Sequence, residues 1–376
     1  MKKCIFYLPY ELDPTAARAR MVRPRKMMQA FRDIGYDVFE ITGYVEERKK
    51  RIAALKAEIR AGQRFDFMYA EASTMPTLLT QPHHFPTHPL LDFGFFRYVK
   101  KQGIPIGLFY SDIFWKFEDY GKDLSFWKKT AALTCYRYDV KQYERLLDKF
   151  YLPTEKLLDY LGSDRLCAVA EALPPGASDI PEVFRAEAEK ADAPAALTIL
   201  YVGGVGGYYQ IGELLKAVNA VDRCRMILCC REQDWEKTKD ELQPLLSDRI
   251  EVVHKSGEEL EACYQRADLC SLMFRHNAYI DMSQPVKAYE YLAHGIPMLA
   301  TEGMAIADFV KRYDIGWTLD DSAEAIAQQL RSCIEHPELL EEKRLHCRQA
   351  RPLHTWKARA EQVALGLKPL GKAEGR

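Results

Sequence analysis

The sequence predicts an α/β protein built from two doubly wound parallel-sheet domains that face each other across a cleft. Three observations lead there. The 376 residues exceed what a single hydrophobic core usually serves. Short apolar runs alternate with longer amphipathic ones in two separate series, as in parallel sheets wrapped by helices. Between the series, from Pro174, the stretch PPGASDIPEVFRAEAEKADAPAA is rich in Pro, Ala and charge and has no strand period.

Taken in order, CIFYLPY, YDVFEIT, FDFMYAE and IPIGLFYSD read as strands. The helical runs RPRKMMQAFRDIG and PLLDFGFFRYVKKQG lie between them and end at Gly35 and Gly103, since glycine is the usual helix stop. These elements define a first domain over residues 1–175, followed by a linker over 176–195. The second series has strands at LTILYVGG, RMILCC, IEVV, LCSLMF and PMLAT, with helices around 211–221, 235–246 and 285–294, and defines a second domain over 196–350. In the remaining 351–376, Trp356, Ala360, Val363 and Leu367 keep helical spacing, so a last helix is expected, packing back on the first domain.

The 53 Lys and Arg nearly balance the 54 Asp and Glu, which argues against the broad positive field of a nucleic-acid binder. An acidic ligand must therefore be met locally. No two of the ten cysteines form a C-x-x-C pair, and several sit in apolar runs, as expected of reduced thiols in a cytoplasmic protein. No run approaches the roughly 18 apolar residues of a spanning helix, so the chain is expected to be soluble or peripheral.

Open α/β sheets bind ligands beyond the carboxyl ends of their strands. That rule singles out Glu71, Asp112, the glycines from Gly203 to Gly207, Arg231, and His254 with Lys255. The run PVKAYEYLAHGIPML raises a sharper question. Pro285 can open a helix and Gly295 close it, yet Lys287 and Glu290 sit inside. Spacing places Lys287, Glu290, Tyr291 and His294 on one face. One reading is a solvated i, i+3 ion pair. The other is a ligand site, in which the helix start, with Ser283 and Gln284 before it, and Lys287 meet an anion, while the Glu290 carboxylate accepts the two hydroxyl protons of a ribose.

With those residues quoted, SQPVKAYEYLAHGIPMLAT resembles the S-x-P-x-K-x-x-E-Y-x-A-x-G-x-P signature of GT-B glycosyltransferases, particularly the retaining family 4. The resemblance implies a GT-B fold of two Rossmann-like domains and Glu290 as the ribose ligand of a nucleotide diphosphate sugar donor. It implies transfer to a hydroxyl of a glycan or lipid-linked acceptor in surface polysaccharide synthesis, with no cofactor and peripheral contact with the inner face of the membrane left open. The earlier glutamate of the family, near the transferred sugar, is replaced by Met282, with Asp281 beside it. Where many members carry an arginine and a lysine after the first glycine turn, this chain has Tyr208, Tyr209 and Gln210. The phosphate role then passes to Lys287, the helix start and Arg231, beside Gly203 and Gly204. A nucleotide-sugar epimerase or a non-catalytic nucleotide-binding subunit are the alternative readings.

The glycine spacing does not fit G-x-G-x-x-G, because Tyr209 takes the third glycine's place, and a dehydrogenase is set aside. No Asp-x-Asp occurs, so no metal clamp is expected. On the acceptor side, Asp112 is the candidate to orient or deprotonate a hydroxyl, against the reading of a simple turn cap. Glu71, Arg23 and Trp115 are candidate acceptor contacts. Arg23 belongs to a cationic run with Arg18, Arg20, Arg25 and Lys26 that suits a lipid-linked diphosphate, an anionic membrane or plain solvent. His83, His84 and His88 are separated by prolines that break any helix aiming them together, which favours a loop over a metal site.

Overall fold

The structure, a computed structural model, describes residues 2–12, 19–118, 120–180 and 196–368. Arg18 and most of the expected linker lie outside the described residues, as does the side chain of Arg20. The chain divides into two compact units. The first runs to Pro174 and takes in the chain from Trp356 onward, and the second is Pro175–Thr355.

In the first unit, β1 (Lys2–Tyr7), β2 (Tyr36–Ile41), β3 (Phe67–Glu71), β4 (Ile106–Phe109), β5 (Lys149–Leu152) and β6 (Ala170–Ala172) form one parallel sheet in the order β2-β1-β3-β4-β5-β6. Every residue of β3 and β4 is buried, as expected of central strands covered on both faces. Helices α1 (Ala19–Asp33), α2 (Val45–Arg60), α3 (Leu91–Lys101) and α4 (Phe126–Leu146) supply the cover. A buried bidentate pair fastens α2 to α3. Arg48 Nε and Nη2 donate to Asp92 at 2.9 and 3.0 Å, and Nη1 donates to the carbonyls of Pro9 and Gly43. The Trp356–Gly366 helix packs on α1.

In the second unit, β7 (Leu197–Val202), β8 (Cys224–Cys229), β9 (Ile250–Val253), β10 (Leu269–Leu272), β11 (Met298–Thr301) and β12 (Gly316–Leu319) form a second parallel sheet in the order β12-β11-β10-β7-β8-β9. The expected pair of doubly wound sheets is therefore present. Both reverse direction between two central strands, at β1/β3 and β7/β10, and those switch points open the crevices where such sheets take ligands. Strands β5, β6 and β12 were not expected. KFYL is only four residues long, AEA carries no apolar signal, and GWTL is half-buried throughout.

Candidate functional site

In the second unit the site is built on the β7/β10 switch point. Strand β7 ends in Val202, and its N–H donates to the Tyr291 hydroxyl at 3.0 Å, which ties the Val286–Ala293 helix to the strand end. Lys287 and Tyr291, four residues apart, share the face turned to β7. Glu290 and His294 follow at i+3 and i+7 from Lys287 on the same side of the helix, and the Tyr264 ring meets both Tyr291 and His294.

The Lys287 ammonium is enclosed. It lies 4.0 Å from the Tyr201 ring centre, 4.6 Å from Phe274 and 5.8 Å from Tyr209. Aromatic faces attract a cation but do not replace hydrogen-bond acceptors. Nζ has no hydrogen-bond partner among the described residues, and the ion pair with Glu290 weighed from spacing does not form. Burial lowers its pKa from 10.5 to about 7. The neighbouring turn is shaped to this group. Gly203 has φ +149°, and a Cβ there would stand 2.7 Å from Nζ, so a side chain would drive into the ammonium. Tyr201 donates its hydroxyl to the Gly204 carbonyl at 2.5 Å, which steadies the turn.

Glu290, one turn further along the helix, accepts a hydrogen bond from the Ser178 hydroxyl at 3.0 Å. His294 anchors the helix end through the Glu290 carbonyl at 2.7 Å and the Glu261 carboxylate at 3.0 Å, and its ring stacks on Tyr264 at 3.9 Å. Gln284 is occupied at both ends of its amide. Nε2 donates to the Ala305 carbonyl and Oε1 accepts from the Tyr289 hydroxyl, so this side chain braces the loop before the helix. The Ser283 N–H closes the preceding short helix on the Ile280 carbonyl, and Met282 is half-buried at that helix's end. Asp281 pairs with His276 at 2.9 Å. Arg231 is exposed and forms an i, i+3 pair with Asp234 at 2.7 Å. His254 Nδ1 bonds the Cys230 carbonyl.

Sequence reasoning passed over Arg275. It lies just beyond β10, the position that drew attention to Arg231, and it lines a cavity of about 470 Å³ with Gly206, Gly207, Tyr209, Gln210 and Ser322. The signal was the rule of suspecting residues after strands, applied to β8 but not to β10.

In the first unit, the β1/β3 switch point brings two separately expected residues together. Glu71 closes β3, accepts the Tyr69 hydroxyl at 2.9 Å, and faces Arg23 Nε at 3.5 Å. The Arg23 guanidinium is buried with its carbon 3.4 Å from the Phe109 ring centre, and its nitrogens make no hydrogen bond among the described residues. Burial raises the Glu71 carboxyl from 4.5 to about 7, against the pull of Arg23. Arg23 is thus not part of a solvated cationic face. Asp112 Oδ1 accepts the Phe114 N–H at 2.6 Å, the turn cap weighed earlier, and burial raises its pKa. The expectation of Trp115 as an acceptor contact is corrected. Its indole is 8% exposed, donates to the Tyr110 hydroxyl at 2.7 Å and stacks on Tyr136, so it belongs to the core. His83 and His84 are exposed, and His88 bonds Lys49. Among the described residues, the grouping able to hold a metal is instead Asp314, Glu342 and His346. It sits before β12, at the sheet end opposite the glycine turn, and Lys343 already pairs with Asp314 at 2.6 Å.

Among curated proteins, no relative matches the sequence. Among solved structures, the chain is similar to the sucrose-phosphate synthase of Thermosynechococcus elongatus, with a TM-score of 0.65 at 17% identity over 97% of this chain and 98% of that one. It is similar to a glycosyltransferase from Rickettsia africae, with a TM-score of 0.63 at 14% identity over 99% and 100%. It is also similar to Anabaena HepE in complex with UDP, with a TM-score of 0.62 at 12% identity over 98% and 100%. At these identities the likeness establishes the fold. Residues 196–336, which hold the glycine turn, Lys287 and Glu290, match the family model described as Glycosyl transferases group 1. The chain thus has the GT-B fold, and within its second unit residues 196–336 match the Glycosyl transferases group 1 model.

Proposed function

We propose that the protein is a glycosyltransferase that moves a sugar from a nucleoside diphosphate sugar to a hydroxyl of a glycan or lipid-linked acceptor in surface polysaccharide synthesis. The observation that carries this reading is the unpartnered Lys287 ammonium beside Gly203, one helical turn from Glu290. A diphosphate supplies the counter-charge that the aromatic cage lacks, and a carboxylate one turn on suits a ribose hydroxyl. As the sugar–phosphate bond breaks, negative charge grows on the leaving diphosphate, and a fixed, desolvated cation stabilises it more than a solvated one. Because the chain has no Asp-x-Asp, Lys287 and the start of its helix are assigned this role, and activity in EDTA is expected.

On the acceptor side we assign Asp112. Oδ1 is held by Phe114, which leaves Oδ2 for the acceptor hydroxyl, and the raised pKa suits a proton acceptor. A thermal-shift panel of nucleotide sugars tests the reading, beginning with uridine diphosphate sugars. A ligand at 100 times its Kd adds about 2.7 kcal/mol to the native state. Glu290→Ala is expected to weaken UDP binding about tenfold or more while the unliganded melting temperature stays near wild type. Unchanged UDP affinity in that variant contradicts the assignment.

A further inference from the structure

Glu290 carries a requirement that its own helix does not meet. A carboxylate that accepts both hydroxyls of a ribose must hold its plane, yet the last torsion of a glutamate side chain is broad and roughly two-fold. Helix geometry therefore sets where the group lies, and not how it is turned. A bond from elsewhere in the chain bears on that torsion. The Ser178 hydroxyl donates to Glu290 Oε1 at 3.0 Å, from 112 residues away in sequence, and a charged acceptor strengthens such a bond.

Ser178 is itself held in place. It lies three residues beyond Pro175, on the segment by which the chain enters the second unit. On one side of it the Ala177 N–H donates to the His354 carbonyl at 2.6 Å, and Ala177 pairs in parallel with Thr355, where the chain leaves that unit. On the other side the Ile180 N–H turns back onto the Ser178 carbonyl at 3.1 Å. Backbone bonds on both sides leave the hydroxyl a narrow range of positions.

Arg351 joins this segment to the helix that carries Glu290. Nη2 donates to the Ile180 carbonyl at 2.6 Å, and Nη1 donates to the Ala293 carbonyl at 3.1 Å. Ala293 ends the Val286–Ala293 helix, whose final carbonyls have no partner within the helix and whose dipole favours a cation there. A guanidinium is planar with fixed N–H directions, so the two carbonyls it bridges are kept at one separation. Ser178 and Glu290 thus sit on two pieces of backbone that a single side chain spaces.

We propose that Ser178 is a positioning residue that turns the Glu290 carboxylate toward a ribose diol, and that Arg351 keeps Ser178 at the distance this needs. The inference rests on the donor role proposed for Glu290 and adds to it that selectivity for ribose over deoxyribose depends on Ser178. A site built to accept a hydroxyl rejects the ligand that lacks it, because its acceptor is left unpaired. A carboxylate able to rotate toward water escapes that penalty and discriminates less.

The test is calorimetric titration of the full chain with UDP and with 2′-deoxy-UDP, reading the ratio of the two affinities. Wild type is expected to prefer UDP about tenfold or more. Ser178→Ala is expected to lower that ratio about threefold or more, by weakening UDP while 2′-deoxy-UDP stays within about twofold. Ser178→Thr keeps the hydroxyl and should restore the ratio. Arg351→Lys lacks the planar fork and should lower the ratio in the same direction. In a Glu290→Ala background, Ser178→Ala should change the ratio no further, since it acts through that carboxylate. Circular dichroism checks that each variant folds. If Glu290→Ala weakens UDP while Ser178→Ala keeps the wild-type ratio, the donor role stands and this inference is overturned. An equal effect of Ser178→Ala with and without Glu290 overturns it too. If Glu290→Ala leaves UDP affinity unchanged, the donor role fails and this inference fails with it.

Discussion

A buried ammonium surrounded by aromatic rings and lacking acceptors is a cost that the unliganded fold carries. Under the proposed function, Lys287 therefore sets stability against ligand binding at one atom. Lys287→Met keeps the aliphatic stem and removes the charge. It should stabilise the unliganded protein by about 1–3 kcal/mol in urea unfolding, and should weaken nucleoside diphosphate binding about tenfold or more. The titration has a definite sign. The folded pKa of about 7 is below the ordinary 10.5, so the unfolded chain holds this proton more tightly. The penalty is complete below about pH 7 and is relieved as pH rises toward 10.5, so this group makes stability increase across that window. The identities of Lys287 and Glu290 as a pair on one helix were readable from PVKAYEYLAHGIPML, because helical spacing fixes their separation. That the lysine turns inward against Tyr201 and Phe274 was not readable, since the cage is assembled from three distant segments.

Among elements, long runs with clear apolar period were legible and short or polar ones were not. FMYAE and IGLF announce buried strands by composition, whereas AEA is a strand only because β5 presents it a free edge to pair with. Trp115 misled for a related reason. Its neighbours in sequence suggest an aromatic groove, but its stacking partner Tyr136 and its acceptor Tyr110 come from α4 and the end of β4. The Arg48–Asp92 pair between α2 and α3 was equally invisible at 44 residues' separation. Each side chain there is almost fully buried, so removing one partner strands the other's charge. Arg48→Met should cost about 3–5 kcal/mol in chemical denaturation. Arg48→Met combined with Asp92→Leu should recover much of that loss, because no lone charge remains.

At the scale of the whole chain, the course of the polypeptide matters more than any single contact. The chain leaves the first unit at Pro174, builds the second, and returns at Trp356 to cover α1. Trp356 lies 5.8 Å from the Arg23 guanidinium, and Leu367 fills the space over Gly107 on β4. Truncation after Thr355 should accordingly unfold the first unit while the second keeps its protection. Hydrogen exchange read by peptide tests this, with α1, β3 and β4 losing protection and β7, β10 and the Val286–Ala293 helix retaining it. The domain count was legible because the Pro- and Ala-rich stretch interrupts two series of strands. The site was legible only as far as local spacing reaches.

The central claim is that a desolvated lysine amine awaits a diphosphate. Calorimetric titration of UDP between about pH 7 and 9, where the diphosphate is already ionised, tests it most directly. Binding to wild type should take up a proton at Lys287 and weaken as pH rises, and in Lys287→Met it should be weak and independent of pH. Equal affinity across that range in both proteins would contradict the account.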